Sequence, residues 1–157
     1  MKGLRYMQDV MRNQFYKQRS DFELSAIERD KTQVMPEGVS VQTDIPYMDD
    51  GDKAHRMDVY RPEGSENTTL PVVINIHGGG LLIGSKEFNR FFCAKLSRLG
   101  YLVFSIEYRL VPDCMVFDQF SDVCNAFKYI NAHLGEYNGD SNHIYGVADS
   151  GGAYLLT

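Results

Sequence analysis

The sequence predicts an α/β fold with a mostly parallel sheet, and three observations support this prediction. Short apolar runs rich in β-branched residues alternate along the chain with helical patterns. That alternation is typical of parallel strands joined by right-handed crossovers. Ahead of the first such run, apolar and polar residues alternate with a period of two, which predicts an antiparallel hairpin at the edge of the sheet. Glycine-rich turns follow two of the apolar runs, as expected where such a sheet carries its site.

The composition indicates one globular domain. The chain has 157 residues, of which 43% are hydrophobic and 24% are charged, enough to bury a core. A net charge of −5 without a basic stripe argues against nucleic acid or an anionic membrane as a partner. Charges interrupt the apolar N-terminal residues, and no apolar run approaches membrane-spanning length.

The cysteines favour a reducing compartment. Cys93, Cys114 and Cys124 lack C-x-x-C spacing and cannot all pair within one chain. We expect all three to be buried free thiols. Together with the missing leader pattern, this predicts a cytoplasmic protein.

The N-terminal residues 1–36 form a predicted helical segment ahead of the domain at 37–157. Leu4, Met7, Met11 and Phe15 recur at helical spacing. The sequence Ser-Ala-Ile-Glu at 25–28 has the form of a capping box and predicts the start of a second short helix. Two interpretations stay open: the helices pack on the same domain, or they form a lid over a substrate pocket.

The next elements alternate in the order expected of this fold. Residues 39–45 alternate apolar and polar, residues 49–52 supply a turn, and residues 56–60 form the returning strand. Residues 72–76 are a β-branched run of the kind buried on both faces of a parallel sheet. The pattern continues with a helix, a strand, a helix and a strand, predicted at 88–99, 101–106, 117–134 and 144–147.

A histidine and three glycines, at residues 77–80, directly follow the predicted strand 72–76. Glycines allow a sharp turn and leave backbone N–H groups unobstructed. Donors of this kind stabilise the oxyanion of acyl transfer by about 3–4 kcal/mol each. Taken alone, the run is also compatible with a flexible turn.

Ser150 lies in the sequence Asp-Ser-Gly-Gly at 149–152, directly after the predicted strand 144–147. A strand that leads into a tight turn with a central serine, followed by a helix, is the nucleophile elbow of α/β-hydrolases. Gly151 would supply the N–H after the nucleophile, and Gly152 would allow the helix to pack closely. Taken alone, Ser150 is equally compatible with a helix N-cap. Because both motifs follow predicted buried strands, the catalytic interpretation is favoured.

Together these motifs resemble the hormone-sensitive-lipase-like group of α/β-hydrolases, which includes carboxylesterases and acetyl esterases. Residues 77–80 are similar to the oxyanion loop of that group. Residues 108–113 are similar to its Tyr-Arg-Leu-Ala-Pro-Glu segment. Residues 149–152 are similar to its Gly-Asp-Ser-Ala-Gly-Gly elbow, with Ala148 at the first glycine and one small residue missing or shifted. The resemblance begins near Val39 and implies the α/β-hydrolase fold.

This resemblance implies a serine carboxylic-ester hydrolase that acts through an acyl-enzyme on a short-chain or acetyl ester. Ser150 would be the nucleophile, with oxyanion donors at Gly78, Gly79 and Gly151. His77 and Asp149 would support the site. No metal or organic cofactor is implied, and the expected partner is a small-molecule ester.

Two further residues, Arg109 and Asp122, match positions that the group occupies with an arginine and an aspartate. We expect them to form an ion pair that fixes the loops behind the oxyanion strand. Their expected role is structural.

None of the four histidines is predicted to act as the base for Ser150. His143 begins the strand that ends near Ala148 and would lie roughly 17 Å from its far end. His133 and His55 are expected at the surface, and His77 is assigned to the oxyanion loop. The triad acid and histidine are therefore expected beyond Thr157.

The fold is accordingly expected to be truncated after the nucleophile elbow, and the chain alone is predicted to be inactive or nearly so. It would expose a sheet edge that an oligomer or a partner would cover. The alternative is a non-catalytic ligand-binding protein on the same scaffold.

Overall fold

A computed structural model describes residues 2–157, and side chains from residue 6 onward. These residues form four α-helices and five strands, with short 3-10 helices at Lys86–Asn89 and Leu134–Tyr137; helices and strands alternate from the third strand onward. In chain order the elements are α1 (Lys2–Asp30), β1 (Val39–Pro46), β2 (Arg56–Pro62), β3 (Leu70–Ile76), α2 (Arg90–Arg98), β4 (Leu102–Ile106), α3 (Val116–His133), β5 (Gly139–Ala148) and α4 (Ser150–Leu156).

The five strands form one sheet in the order β1-β2-β4-β3-β5. The pairs β1·β2 and β2·β4 are antiparallel, whereas β3 pairs in parallel with β4 and with β5. The predicted α/β class, the N-terminal antiparallel hairpin and the parallel core are therefore confirmed.

The core lies on both faces of the sheet. On one face Ile74 and Phe104 pack with Val123 and Ile130 of α3. On the other face Val73 packs with Cys93 and Ala94 of α2, among other residues. Because helices cover both faces, the β-branched run of β3 is almost entirely buried.

The N-terminal segment is one continuous helix of 29 residues, so the predicted second helix starting at Ser25 is wrong. The Ser25 hydroxyl donates to the carbonyl oxygen of Asp21 one turn earlier, as it does inside a helix, and Glu28 pairs with Lys31. The first half of α1 is largely exposed, with Tyr6 at 73%. The lid interpretation of this helix stays a prediction.

The second half of α1 is attached beside the loop that follows β3. Arg19 donates from Nε to the Leu82 carbonyl oxygen at 3.1 Å and pairs with Asp113 at 2.8 Å. Phe22 packs against Phe88 with ring centroids 5.0 Å apart. These contacts join α1 to the two loops at the carboxyl ends of β3 and β4.

The cysteines differ from one another in exposure, so the prediction of three buried thiols is wrong. Cys93 is buried, and burial raises the pKa of its thiol to about 12. Cys114 is partly buried, and Cys124 is exposed on α3. The sequence predicted a helix around Cys124, but the side chain faces solvent there. In the part of the chain that the structure describes, no helix is both long and apolar enough to cross a membrane.

Candidate active site

Ser150 has the backbone geometry of a strained turn. It directly follows β5 and Asp149, begins α4 and is exposed. Its φ of 45° is unusual for a residue with a Cβ atom, and such strain clusters at functional sites. The N-cap of α4 is Asp149. The interpretation of Ser150 as a helix N-cap is therefore wrong, and the elbow geometry stands.

The oxyanion loop and the elbow lie side by side because β3 and β5 are neighbours. Ile76 of β3 pairs with Ala148 of β5, so the residues after each strand emerge together. A Cβ atom on Gly152 would come within 2.4 Å of the Ile76 carbonyl oxygen. A Cβ atom on Gly151 would lie 3.1 Å from the Gly80 nitrogen. The glycines after Ser150 thus bring the loop and α4 into direct contact.

The N–H group of Gly78 is already used, because it donates to Asp149 Oδ1 at 3.0 Å. The prediction of Gly78 as an oxyanion donor is corrected for this reason. Within residues 2–157, the hydrogen bonds leave the N–H groups of Gly79, Gly80 and Gly151 without an acceptor. Gly80 was not among the predicted donors, although the glycine run itself was the signal.

Gly79 is fixed as glycine by its surroundings. Its φ is +127°, and a Cβ atom there would lie 1.9 Å from the Ile83 carbonyl oxygen. No other residue fits this conformation and this space. The loop therefore turns sharply at Gly79 and returns to Ile83.

His77 supports the loop and has no free ring nitrogen. It is fully buried, with Nδ1 2.9 Å from the Gly78 carbonyl oxygen and Nε2 2.9 Å from Glu107 Oε1. Its ring stacks on Tyr108 at 4.3 Å, and the Tyr108 hydroxyl donates to the His77 carbonyl oxygen at 2.7 Å. With both nitrogens engaged, His77 is unable to take a proton from Ser150 without breaking these bonds.

Glu107 is a site residue that the sequence analysis missed. Besides His77, it accepts a hydrogen bond from the Lys86 backbone N–H at 3.0 Å through Oε2. The available signal was an acidic residue directly after the buried strand β4, a position where an unpaired carboxylate would be costly.

The predicted ion pair between Arg109 and Asp122 is confirmed. Arg109 donates from Nε and Nη2 to the two oxygens of Asp122 at 2.9 and 2.6 Å, and Asp122 is almost fully buried. The Asp122 hydrogen bond raises the pKa of Arg109. Two parallel bonds of this type fix the loop after β4 against α3.

His55 also belongs to this cluster, so its predicted surface position is wrong. It is 3% exposed, and its ring nitrogens contact Asp50 at 2.6 Å and Asp122 at 3.1 Å. The hairpin turn between β1 and β2 folds onto α3, which covers the ring.

The remaining histidines lie away from Ser150. His133 is half-buried and bonds to the Tyr129 carbonyl oxygen within α3. His143 is exposed and pairs with Asp140. It lies in the middle of β5, because the strand already begins at Gly139, so the prediction that His143 begins the strand is wrong. Within the described residues, no cluster of ligating side chains could hold a metal ion.

The fold is that of the α/β-hydrolases. A sequence profile of the BD-FAE family matches residues 57–157. The chain belongs to the BD-FAE family.

Several relatives of this chain are named as esterases. The chain is 32% identical over 101 residues to the probable isoprenylcysteine alpha-carbonyl methylesterase ICME of Oryza sativa, covering 64% of this chain and 24% of that protein. It is 32% identical over 114 residues to the probable carboxylic ester hydrolase LipM of Mycobacterium tuberculosis, covering 71% of this chain and 26% of that protein. The chain therefore spans about a quarter of the length of these relatives.

Solved structures extend the similarity to nearly the whole chain. A phosphonate-inhibited esterase B of Lactobacillus rhamnosis has a TM-score of 0.89 at 28% identity, covering 94% of this chain and 48% of that one. A bacterial heroin esterase has a TM-score of 0.73 at 27% identity, covering 87% of this chain and 43% of that one. The chain spans about half the length of these esterases.

Proposed function

We propose that Ser150 is the nucleophile of a carboxylic ester hydrolase. The observation that carries this proposal is the left-handed turn at Ser150 beside a loop with unused N–H groups at Gly79 and Gly80. The Gly151 N–H, directly after the nucleophile, completes the set of donors. Acyl transfer requires these two things, a nucleophile and hydrogen-bond donors for the oxyanion.

The reaction runs in two halves. Ser150 Oγ attacks the ester carbonyl carbon, and the carbonyl oxygen becomes an oxyanion that accepts hydrogen bonds from the three N–H groups. Collapse of this intermediate breaks the ester C–O bond, releases the alcohol with a proton and leaves an acyl-enzyme. Water then attacks the acyl group, releases the carboxylic acid and restores the Ser150 hydroxyl.

A general base must accept the Ser150 proton, and we place it outside residues 2–157. In the described chain both nitrogens of His77 and of His55 face oxygen partners, and His143 lies in the middle of β5, bonded to Asp140. A length about half that of the solved esterases supports a base and an acid from further chain. The 157 residues alone should then show little turnover.

The proposed substrate is a small ester with a short acyl or alcohol group. Similar proteins include a methylesterase and a versiconal hemiacetal acetate esterase, and one esterase B structure carries a tributyrin phosphonate. We propose that α1 forms one wall above the site, because Arg19 ties it to Leu82 next to the oxyanion loop. The cytoplasm remains the proposed location.

A serine-reactive fluorophosphonate probe tests the nucleophile. In the protein at its natural full length, we expect Ser150→Ala to abolish labelling and to lower hydrolysis of p-nitrophenyl acetate by at least about 1,000-fold. Ser141→Ala, at another exposed serine, is the matched control and should label like the wild type. Labelling that survives Ser150→Ala would remove Ser150 from this role.

The position of the base is tested separately. We expect residues 1–157, expressed alone, to hydrolyse the same ester at a small fraction of the full-length rate. Equal rates would overturn the proposed external base. A full-length protein that binds short esters but neither labels nor hydrolyses them would instead be a ligand-binding protein on this scaffold.

A further inference from the structure

Asp149 occupies the N-cap of α4 but does not cap the helix. An aspartate at this position ordinarily accepts a hydrogen bond from an N–H in the first turn, a bond worth about 1 kcal/mol. Here its carboxylate makes no such bond. Oδ1 instead accepts the Gly78 N–H and the side-chain amide of Asn89, both at 3.0 Å. The carboxylate is thus turned from the helix toward the oxyanion loop.

Asn89 is held from the other side by the interior of the sheet. Its Nδ2 also donates to Asn75 Oδ1 at 3.3 Å. Asn75 lies in the middle strand β3 and is 1% exposed, and its own amide donates to Ser105 Oγ of β4 at 3.1 Å. Ser105 Oγ donates in turn to the Lys86 carbonyl oxygen at 3.1 Å.

These side chains make a continuous polar path from the sheet interior to the residue before the nucleophile. A buried amide without partners costs about 1–3 kcal/mol, so Asn75 holds its neighbours in one arrangement. Asn89, at the end of a 3-10 helix, connects this buried path to Asp149. Lys86 at the start of the same 3-10 helix is also buried and pairs with Asp58 at 2.9 Å. The segment that carries Asn89 is therefore also anchored at its start, by this ion pair to β2.

The oxyanion loop needs such an external anchor. Gly79 and Gly80 give the turn its shape, with φ of +127° and +61°, but glycines do little to restrict the backbone by themselves. At its far end the loop is fixed by Gln119, which donates to the Leu81 carbonyl oxygen at 2.9 Å. At its near end the bond from Gly78 to Asp149 sets the orientation of the peptide that leads into Gly79.

We propose that Asn89 is a positioning residue for this site: its amide fixes the carboxylate of Asp149, which in turn fixes the oxyanion loop through Gly78. This inference rests on the proposed function of Ser150. Both hydrogen bonds end on the same atom, Asp149 Oδ1. If the bond from Asn89 is lost, the Asp149 side chain is able to rotate. Such a rotation also disturbs the bond from the Gly78 N–H. The N–H groups of Gly79 and Gly80 then lose their fixed direction toward the reacting carbonyl.

A purely structural role for Asn89 makes a different prediction. If Asn89 only satisfied Asn75, its loss would lower stability and leave the acylation rate of folded protein unchanged. If Asn89 acts through Asp149, the transition state loses more than bound substrate does, because the oxyanion forms only during reaction. The ratio of the changes in kcat and KM separates the two roles.

The experiment compares Asn89→Ala and Asn89→Asp with wild type, at natural full length. The aspartate keeps the shape but removes the donor and places a second carboxylate against Asp149. We expect both to lower kcat for p-nitrophenyl acetate and the fluorophosphonate labelling rate by about 10–100-fold, with KM changed less than about twofold. Thermal unfolding confirms that the variants remain folded. Asn131→Ala, an exposed asparagine on α3, is the control and should match wild type.

A second measurement follows the loop directly. Hydrogen exchange of the Gly78 amide, observed by NMR, should become at least about tenfold faster in both Asn89 variants. Folded variants with kcat within about twofold of wild type, or an equal loss in Asn131→Ala, would overturn the positioning role. If wild type is not labelled but Gly78 exchange still accelerates, the proposed function fails while the link from Asn89 to Gly78 stands.

Discussion

The neighbouring strands β3 and β5 lead into the two loops of the candidate site, but they differ in burial. Both are parallel, they pair with each other, and each ends directly before a site loop. β3 lies between two strands and beneath helices on both faces, and nearly all of it is buried. Within residues 2–157, β5 pairs with β3 alone, and most of its residues are exposed, with Tyr145 at 47%.

This difference shows where the position of Ser150 is fixed. Along β5 there is little side-chain packing that could hold the strand in one register. At its end, however, Gly152 packs against the backbone of β3, and Asp149 bonds to Gly78. The elbow is thus held at the junction with β3, whereas the body of β5 contributes mainly its ladder of backbone hydrogen bonds.

The largest expected effect on the free energy of unfolding comes from a methyl group added at the junction between the elbow and β3. In Gly152→Ala the new Cβ would meet two backbone oxygens, those of Ile76 and His77, at 2.4 and 2.5 Å. Backbone does not move aside easily, so we expect a loss of about 3 kcal/mol in the free energy of unfolding. Chemical denaturation measures it.

The matched change on β5 is Gly146→Ala. There the three atoms nearest to the Cβ all belong to the Leu156 side chain, with Cδ1 at 2.8 Å, which is the end of a flexible group. We expect a change within about 1 kcal/mol, because the lower entropy of the unfolded chain offsets the contact. Equal losses in the two variants would contradict the comparison.

An intermediate effect on the free energy of unfolding is expected from the buried side-chain amide of Asn75 in β3. Asn75→Leu removes the partner of Ser105 and of Asn89, and we expect it to lower the free energy of unfolding by about 1–3 kcal/mol. On β5 the corresponding surface change is Ile144→Thr, at a residue that pairs with Val72. It should cost about 0.5 kcal/mol or less. A larger loss from Ile144→Thr would show that β5 depends on its own side chains.

The smallest effect is expected from Asp140 at the start of β5. The hydrogen bond from His143 holds the pKa of Asp140 below its ordinary value of 3.8. Because folding lowers this pKa, the ionised carboxylate stabilises the folded state at pH values above 3.8. This stabilisation is lost as the pH falls through the pKa of the folded state.

Asp140→Asn removes this contribution. Because Asp140 and His143 both reach solvent, we expect only a slight drop in the thermal midpoint at neutral pH. The difference between wild type and variant should shrink on acidification below 3.8. A difference that grows toward low pH would have the opposite sign to the one that the lowered pKa requires.

Local sequence patterns predicted all five strands, the helices α2 and α3, and a helical N-terminal segment. Residues 72–76 have the uninterrupted β-branched pattern of a strand covered on both faces, and β3 has that burial. The same reasoning failed at Ser25 and Glu28, because a capping box and two residues inside a long helix look alike in sequence. It failed again at His55, since no local pattern shows that a hairpin turn folds onto α3.

At the candidate site, the sequence motifs predicted which residues lie there, whereas their hydrogen-bond partners are visible only in the structure. Ser150, Gly79 and Gly151 were predicted from their positions after strands. The engagement of Gly78 depends on a carboxylate 71 residues away in the chain, and so no local pattern could reveal it. Asn89 was missed for the same reason, because its partners Asn75 and Asp149 are distant in sequence. Glu107 was missed although its place directly after β4 was a local signal.

The sequence by itself determined the fold class, the strand that leads to Ser150 and the glycines that allow a strained turn. These depend on local properties: side-chain branching, alternation and the freedom of glycine at positive φ. Only the tertiary structure decided which N–H groups are unused and which residues hold the loop. These depend on the pairing of β3 with β5, which brings Asp149 to Gly78. Among residues 2–157 this leaves the N–H groups of Gly79, Gly80 and Gly151 without an acceptor beside Ser150.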